Sequence, residues 1–429
     1  MERGMKLRFV LSVFLVTFGI FLVGCKSEDE KVVKSITVTV SDLPNLSLDE
    51  KIDLYEIKVV EDRAEPSYDS SFFYKLSIIC SSASPVSLDL TELGISTIES
   101  SISIFRGCIV LQGIKLPDSL TTIGGSAFSG CTSLKSVEIP DSVTTIGMYT
   151  FSGCTSLKSV EIPDSVTTIG MYTFSGCTSL QSVEIPDSVT AIERSAFYGC
   201  TSLQSVEIPD SVTTIGSEAF SGCTSLKSVE IPDSVTTIGM YTFSGCTSLK
   251  SVEIPDSVTA IGSGAFYGCT SLKSVEIPDS VTAIEWSAFY GCTSLQSVEI
   301  PDSVTAIKGG DIQLGFYGAF SGCTSLKSVE IPDSVTVIGS CAFSGCTSLQ
   351  NVEISASLIT IGKYAFYGCT SLKSVYIPAS VITIEQNAFK ECTNLLSVVF
   401  EDIEGWSPQV SNLVETTKLL VLGYSFTKS

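Results

Sequence analysis

Apolar residues recur along most of this chain with a period of 23 residues. Cysteines mark the period at 108, 131, 154, 177, 200, 223, 246, 269, 292, 323, 346, 369 and 392. The step from 292 to 323 is 31 residues, so one insertion of eight residues, between Ile307 and Ala319, accounts for the whole departure. A phenylalanine stands three residues before each of these cysteines.

Within one period the apolar residues alternate with polar ones over a short stretch. In the unit that starts at Cys154, Val160 and Ile162 flank Glu161, which predicts a strand with one buried face. Pro163 follows and should end the strand, because proline has no N–H to donate. Asp164 and the serine after it are typical turn residues.

A single 23-residue unit cannot bury its own apolar side chains, but stacked copies can. Each apolar position then becomes a continuous column along the stack. The pattern therefore predicts a leucine-rich-repeat solenoid, mainly β within the α/β-type repeat class, with about 13 coils of 23 residues.

The repeat resembles the BspA-type, or treponemal-type, leucine-rich repeats of bacterial surface proteins. The matching positions in one unit are Leu226, Val229, Ile231, Pro232, Val235, Ile238, Gly239, Phe243 and Cys246. The resemblance extends over about Val86 to Phe400. It implies a class of function, that of surface antigens which bind host matrix proteins or other bacteria, and it brings no catalytic residues with it.

Composition narrows the possible functions. The chain has no histidine among its 429 residues, which removes Ser-His-Asp and Cys-His mechanisms and every His-ligated metal site. Its 46 acidic and 25 basic residues give a net charge of −21, which argues against nucleic acid and bare anionic lipid as partners. The near-identical units offer no unique catalytic constellation, so we expect neither an enzyme nor a cofactor.

The N-terminus has the pattern of an export signal. Arg3, Lys6 and Arg8 precede an apolar run over 9–23, which is too short for a comfortable transmembrane helix. The run ends in Leu22-Val23-Gly24-Cys25, which resembles a bacterial lipobox and implies lipid attachment at Cys25. An uncleaved anchor or a plain signal peptide are the alternatives. We expect an exported protein, lipid-anchored at the outer membrane or cell surface.

The remaining chain divides around the repeats. We predict a lipoprotein signal over 1–25, a tether and small β-rich segment over 26–84, the solenoid over 85–400 with its insertion at 308–318, and a C-terminal cap over 401–429. Caps are expected because the ends of a solenoid otherwise expose core and unpaired strand edges.

The cysteine column has two interpretations. A buried column of free thiols, each acting as a small apolar side chain, is favoured because no C-x-x-C pair exists and the count is odd. Disulfides or a metal site are the alternative in an exported protein. Cys80 and Cys341 lie outside the column, and their pairing cannot be read from the sequence.

Acidic residues also form columns. The candidate partner-binding residues among them occupy one exposed strand position: Glu161, Glu184, Glu207, Glu230, Glu253 and Glu276. A second column of aspartates follows in the turn, and lysines three positions before the glutamates should partly offset their repulsion. The column is either a solvated acidic face or a surface for a basic protein or weakly bound Ca²⁺.

The insertion and the nearby aromatic residues are further candidates for partner binding. Phe316 and Tyr317 belong to the insertion, and Trp286 lies beside the phenylalanine column. Insertions in repeat arrays often carry binding residues, and aromatic side chains are enriched at interfaces. The alternatives are a tolerated surface bulge and aromatic packing over the turn.

These features together favour a non-catalytic cell-surface lipoprotein that binds host matrix or other surface proteins. A periplasmic or envelope scaffold that binds another bacterial protein is the alternative. No sequence feature names the ligand.

Overall fold

Short strands joined by tight turns make up this protein. In a computed structural model we describe residues 33–39, 42–43, 46, 48, 53–61, 74, 76–99, 104–311, 317–407 and 426–428. The expected export signal and Cys25 lie outside these residues. No helix in the described part of the chain is long and apolar enough to cross a membrane.

The first strand of each coil lies on one face of the stack. These strands are β1 (Val33–Thr39), β2 (Leu54–Val60), β3 (Val86–Glu92), β5 (Leu111–Lys115), β7 (Ser136–Glu138), β9 (Ser159–Glu161), β11 (Ser182–Glu184), β13 (Ser205–Val206), β15 (Ser228–Glu230), β17 (Ser251–Glu253), β19 (Ser274–Glu276), β21 (Ser297–Glu299), β23 (Ser328–Ile331), β25 (Asn351–Ile354), β27 (Ser374–Ile377) and β29 (Ser397–Phe400). A 3-10 helix, Ile78–Ser81, precedes β3.

A second, two-residue strand follows in most coils. These strands are β4 (Thr97–Ile98), β6 (Thr122–Ile123), β8 (Thr145–Ile146), β10 (Thr168–Ile169), β12 (Ala191–Ile192), β14 (Thr214–Ile215), β16 (Thr237–Ile238), β18 (Ala260–Ile261), β20 (Ala283–Ile284), β22 (Ala306–Ile307), β24 (Val337–Ile338), β26 (Thr360–Ile361) and β28 (Thr383–Ile384). Two more, β30 (Trp406–Ser407) and β31 (Phe426–Lys428), complete the order.

Neighbouring coils pair in parallel, because the chain climbs the stack in one direction. Each residue pairs with its equivalent one period away, as Val160 does with Val183 and Ile192 with Ile215. The second strands β10 to β28 belong to one sheet, whereas the first strands form shorter ladders after β7. The predicted leucine-rich-repeat solenoid is therefore confirmed.

The core is a set of apolar columns. Leu157, Val160 and Ile162 are buried, as the strand pattern predicts, and the second strand adds Ile169. Phenylalanine rings stack coil upon coil, with centroids 5.3 to 5.7 Å apart and nearly parallel planes from Phe105 to Phe389. Each ring thus contacts its equivalents above and below, so no coil completes its own core.

The turn before each cysteine depends on left-handed backbone. Gly176, directly before Cys177, has a φ of 72°, and the equivalent glycines of other coils lie in the same region. Glycine adopts this conformation without steric cost. Tyr172, five residues before the cysteine, also has a positive φ of 57°. The turn then places Phe174 in the core between these two residues.

Side chains also link the coils by hydrogen bonds. The Ser188 hydroxyl donates to the Val166 carbonyl of the preceding coil at 2.7 Å, and this bond recurs along the stack. These bonds satisfy carbonyls in the turn after the first strand, where the backbone ladder stops.

The N-terminal strands extend the stack beyond the cysteine period. β1 and β2 add to the sheet of β3, β5 and β7, all in parallel. The solenoid therefore has about 15 turns, more than the 13 that the cysteine count indicates. A disulfide between Cys80 and Cys108 ties this N-terminal part to the first cysteine coil.

The C-terminal end is covered by an antiparallel strand. β31 pairs with β28, at the edge of the long sheet, and with β30. Trp406 is buried edge-on against Phe400, with ring centroids 5.2 Å apart. An antiparallel edge strand breaks the repeat and blocks further addition of parallel coils. The apolar run at 419–422, also expected in the cap, lies outside the described residues.

The insertion leaves the register of the stack unchanged. Ile307 pairs with Ile338 across it, and the rings of Phe289 and Phe320 stack at 5.3 Å. At its base the Ala319 amide donates to the Lys308 carbonyl at 3.2 Å. The additional residues therefore leave and rejoin the coil at one point.

Removal of one phenylalanine ring from the core should lower the stability of the solenoid. We expect Phe243→Ala to lower the free energy of unfolding by about 3–5 kcal/mol, because it leaves a cavity between two stacked rings. Guanidinium unfolding followed by circular dichroism measures this loss. Met240→Ala, in the same coil but 44% exposed, is the control and should change stability by less than about 1 kcal/mol. Equal losses in both variants would contradict the stacked core.

Candidate protein-binding face

The outward positions of the first strands form a surface that we call the Glu face. Its column comprises Glu138, Glu161, Glu184, Glu207, Glu230, Glu253, Glu276, Glu299, Glu330 and Glu353, all exposed. Glutamates of paired strands are direct neighbours in register, such as Glu161 with Glu184 and Glu230 with Glu253. The six candidate glutamates of the sequence therefore lie in one continuous line.

The alternation of the strand fixes the direction of these side chains. Val160 is 5% exposed and packs inward, so Glu161, the next residue, must point outward. The turn after each first strand from β7 to β23 then presents an exposed aspartate, such as Asp164, beside the glutamate of the same coil. Two parallel acidic columns result.

The acidic columns are hardly neutralised by nearby cations. Lys115, which occupies the glutamate position in its own coil, lies 3.6 Å from Glu138. Over the described residues, the column from Glu161 to Glu353 forms no ion pair within 4 Å. The lysines three positions earlier, expected to offset the charge, form none either: Lys135 and Lys227 donate to glutamine side chains instead.

A groove of about 960 Å³ lies on the Glu face towards its C-terminal part. Its carboxylates are Glu276, Glu299, Glu330 and Glu353 of one column with Asp256, Asp279, Asp302 and Asp333 of the other. Isoleucines and prolines of the same coils, including Ile300 and Pro301, complete the lining. Because no lysine or arginine lines it, the groove is an acidic surface with apolar patches between the charges.

The structure places the groove towards the C-terminal glutamates of the column. Of the six glutamates singled out in the sequence, only Glu276 lines the groove. Glu299, Glu330 and Glu353 line it as well, and their place in the same column was visible in the sequence. The groove itself could not be located from the repeat, since near-identical coils give no signal for where a depression forms.

Metal binding gains no support from the geometry. In the part of the chain that the structure describes, no group of three or more His, Cys, Asp or Glu side chains converges as metal ligands. Carboxylates one coil apart are neighbours along a line, whereas Ca²⁺ needs several oxygens around one point. Weak Ca²⁺ binding therefore stays a prediction.

The cysteine column is a structural element of the core. Each column thiol from Cys131 to Cys392 is buried, and its Sγ lies 2.8 to 3.3 Å from the carbonyl oxygen of the phenylalanine 26 residues earlier, or 34 across the insertion. Cys341, outside the column, is also buried and free. Cys108 is the exception, because its disulfide with Cys80 removes it from the set of free thiols. The expectation that all column cysteines are free is wrong at this first position, where the disulfide joins the first cysteine coil to the segment before β3.

Burial also makes the column thiols chemically inert. It raises the pKa of Cys200, Cys246 and Cys292 to about 12, because a thiolate in the apolar core would lose its hydration. A nucleophilic or metal-binding cysteine needs the thiolate form, so these residues carry no such chemistry.

The aromatic candidates lie away from the Glu face. Trp286 and Tyr317 belong to the turn between the second strand and the phenylalanine column. Tyr241 contacts Trp286 and Tyr290 contacts Tyr317, while Tyr267 lies between Tyr241 and Tyr290 and contacts both. The rings of Tyr290 and Tyr317 stack at 4.0 Å, and the Ser287 amide donates to the Tyr317 carbonyl at 2.9 Å. These contacts hold Tyr317, near the end of the insertion, against the preceding coil. Phe316 lies outside the described residues.

Comparison with known proteins agrees with this geometry. Residues 96–227, 190–310 and 316–408 match the BspA type leucine-rich repeat region in six copies. The chain belongs to the BspA-type leucine-rich repeat family. Proteins of the leucine-rich repeat class are typically protein-interaction scaffolds and are generally non-catalytic.

The chain is similar to solved structures of bacterial leucine-rich repeat proteins. A leucine-rich repeat protein from Bacteroides ovatus is 29% identical with a TM-score of 0.66, covering 92% of this chain and 100% of that one. A leucine-rich cell surface protein from Faecalibacterium prausnitzii is 25% identical with a TM-score of 0.39, over 90% and 94% of the two chains. The Treponema pallidum leucine-rich repeat protein is 24% identical with a TM-score of 0.31, over 59% and 87%. None of the curated proteins compared matches the chain.

Thiol labelling should separate the native protein from the unfolded chain. At pH 8 a thiol with a pKa of about 12 is only roughly one ten-thousandth thiolate, and the core also excludes the reagent. We therefore expect iodoacetamide to leave the column cysteines Cys131 to Cys369 unmodified in the native protein and to label them in guanidinium. Mass spectrometry of tryptic peptides measures both. Rapid native labelling of central cysteines such as Cys200 would show that they are not buried.

Proposed function

We propose that this protein is a non-catalytic, lipid-anchored surface protein that binds host matrix or other surface proteins through the Glu face. The observation that carries the proposal is the acidic groove, whose eight carboxylates face solvent without a basic residue in its lining. Family membership supports protein binding in general, and the export pattern that ends at Cys25 supports the location.

The partner that this face favours is a basic region of another protein. Like charges in register repel, and a basic partner relieves that repulsion on binding. Exposed pairs of this kind contribute modestly one by one, so affinity depends on several contacts made together. The isoleucines and prolines between the carboxylates add apolar contact area to the charge pairs.

Neutralisation of the groove should weaken binding. We expect the variant Glu276→Gln/Glu299→Gln/Glu330→Gln/Glu353→Gln to lose at least about tenfold in affinity for a basic matrix protein identified by a screen, since four favourable charge contacts disappear. Biolayer interferometry on the purified protein without residues 1–25 measures the affinity at low and high salt. Binding of the unmodified protein should weaken as salt rises, because exposed charges are screened.

The column itself provides a matched control. Glu138→Gln/Glu161→Gln/Glu184→Gln/Glu207→Gln removes the same number of charges outside the groove and should reduce affinity much less. An equal loss in both variants would show that general acidity, and not the groove, drives binding. Salt-independent binding that neither variant changes would contradict the proposal.

Proteolysis of intact cells tests the location. We expect added protease to degrade the protein on living cells, because a surface-anchored chain is accessible. A periplasmic protein used as the control should remain intact. Protection of this protein until the outer membrane is opened would instead support the alternative, a periplasmic scaffold that binds another bacterial protein.

A further inference from the structure

The glutamate column of the Glu face stops before the solenoid does. The last glutamate is Glu353, and the two following coils carry Tyr376 and Val399 at that position. At the aspartate position the two coils after Asp333 have Ala356 and Ala379, and the last coil has Asp402, which pairs with Lys428. At the glutamate position the face therefore changes from acidic to apolar over one coil.

The structure places the replacing residues on the same surface. Tyr376 pairs with Val399 in register, as Glu330 does with Glu353 one pair earlier. Leu396 occupies the position that is lysine or glutamine in earlier coils, and its amide donates to the Lys373 carbonyl at 2.9 Å. We call these three residues, Tyr376, Leu396 and Val399, the apolar end of the Glu face.

The side chains of the apolar end are unusually accessible for their type. Leu396 is 81% exposed, Tyr376 46% and Val399 45%. Earlier first strands of the solenoid from β7 to β25 present no exposed large apolar side chain within the described residues. Grouped exposed apolar residues are typical of interaction sites, whereas single ones are ordinary.

Tyr376 lies near a carboxylate of the last coil. Burial and the neighbouring Glu401 raise the pKa of the Tyr376 hydroxyl, and the Ala379 amide donates to the Glu401 carboxylate at 2.9 Å. Exposed tyrosines are common contact residues at protein interfaces.

We propose that the apolar end binds an apolar side chain of the same protein segment whose basic residues occupy the acidic groove. The inference rests on the proposed function and names the partner more closely: a basic segment followed by an aromatic or aliphatic residue. The charge of the groove selects the basic part, and the continuity of the face brings the apolar part to Tyr376, Leu396 and Val399.

Strand geometry sets the spacing within that segment. Glu353 and Val399 are two coils apart, which is roughly 10 Å at ~4.8 Å between parallel strands. An extended chain advances ~3.3 Å per residue, so the apolar residue lies about three positions after the last groove-bound cation, with two residues between them. The recognised segment therefore has a defined order and length.

Two labelled peptides test this inference. One contains six lysines followed by two glycines and a serine, and the other is identical except that tryptophan replaces the serine. Fluorescence anisotropy measures the affinity of each for the purified protein without residues 1–25. We expect the tryptophan peptide to bind about tenfold more tightly, since it buries a large apolar side chain against the apolar end.

A charge-neutral variant locates the source of that difference. Tyr376→Thr/Leu396→Gln/Val399→Thr should reduce the tenfold ratio to about one and leave the affinity for the serine peptide unchanged. The matched control, Ile359→Thr/Ile382→Thr, removes residues that are 41% and 46% exposed and lie directly before the second strands β26 and β28, and it restores the threonine of earlier coils. It should leave the ratio at about ten.

The outcomes separate this inference from the proposed function. Equal affinities of both peptides for the unmodified protein, with binding that the groove variant weakens, would overturn the apolar end and keep the groove. Loss of the tryptophan preference in the control variant would overturn the apolar end as the binding site, in favour of the surface around Ile359 and Ile382. Absence of binding by either peptide at low salt would overturn both proposals.

Discussion

The mutual burial of neighbouring coils is the interaction on which the rest of this structure depends. A coil of 23 residues is too small to enclose Leu157, Val160 and Phe174, and each side chain is covered only when another coil lies on either side. Parallel register follows from this constraint, because a shift of one residue would turn the strand valines outward and the glutamates inward. The regularity of the outer surface is thus a consequence of the core.

The ends of the stack need a different solution, because an end coil has one neighbour. At the N-terminal end the Cys80–Cys108 disulfide joins the less regular strands to the first cysteine coil. Cys108 is the first cysteine of the column, and its sulfur forms the disulfide. The thiol of Cys131, the next cysteine, is free and bonds to the carbonyl oxygen of Phe105. At the C-terminal end β31 reverses direction and pairs with the exposed edge. Both devices use local departures from the repeat.

On the surface, the repeated residues and the residues that depart from the repeat both contribute to binding chemistry. Repetition produces a charged line that forms no ion pair with a lysine from Glu161 to Glu353 over the described residues, a favourable arrangement for a basic partner and an unfavourable one for the isolated protein. The cost is small for each pair, because the carboxylates face water. Departures such as Tyr376 and Leu396 are tolerated since outward positions do not affect core packing, and they give one end of the face a distinct chemistry.

The sequence by itself determined the repeat, the strand direction and the columns. Period and alternation act within one coil, so Val160 inside and Glu161 outside follow from local order. The lines of cysteine and phenylalanine follow equally, because residues one period apart must stack. BspA-type leucine-rich repeats were recognisable for the same reason.

Only the tertiary structure decided the features that vary among coils of nearly identical sequence. The Cys80–Cys108 pair joins residues on unlike segments, and no spacing rule specifies it. The groove around Glu299 and the stacking of Tyr317 on Tyr290 depend on the three-dimensional placement of successive coils. Those relations arise from packing summed over many coils, and a repeated sequence pattern is the same in every coil.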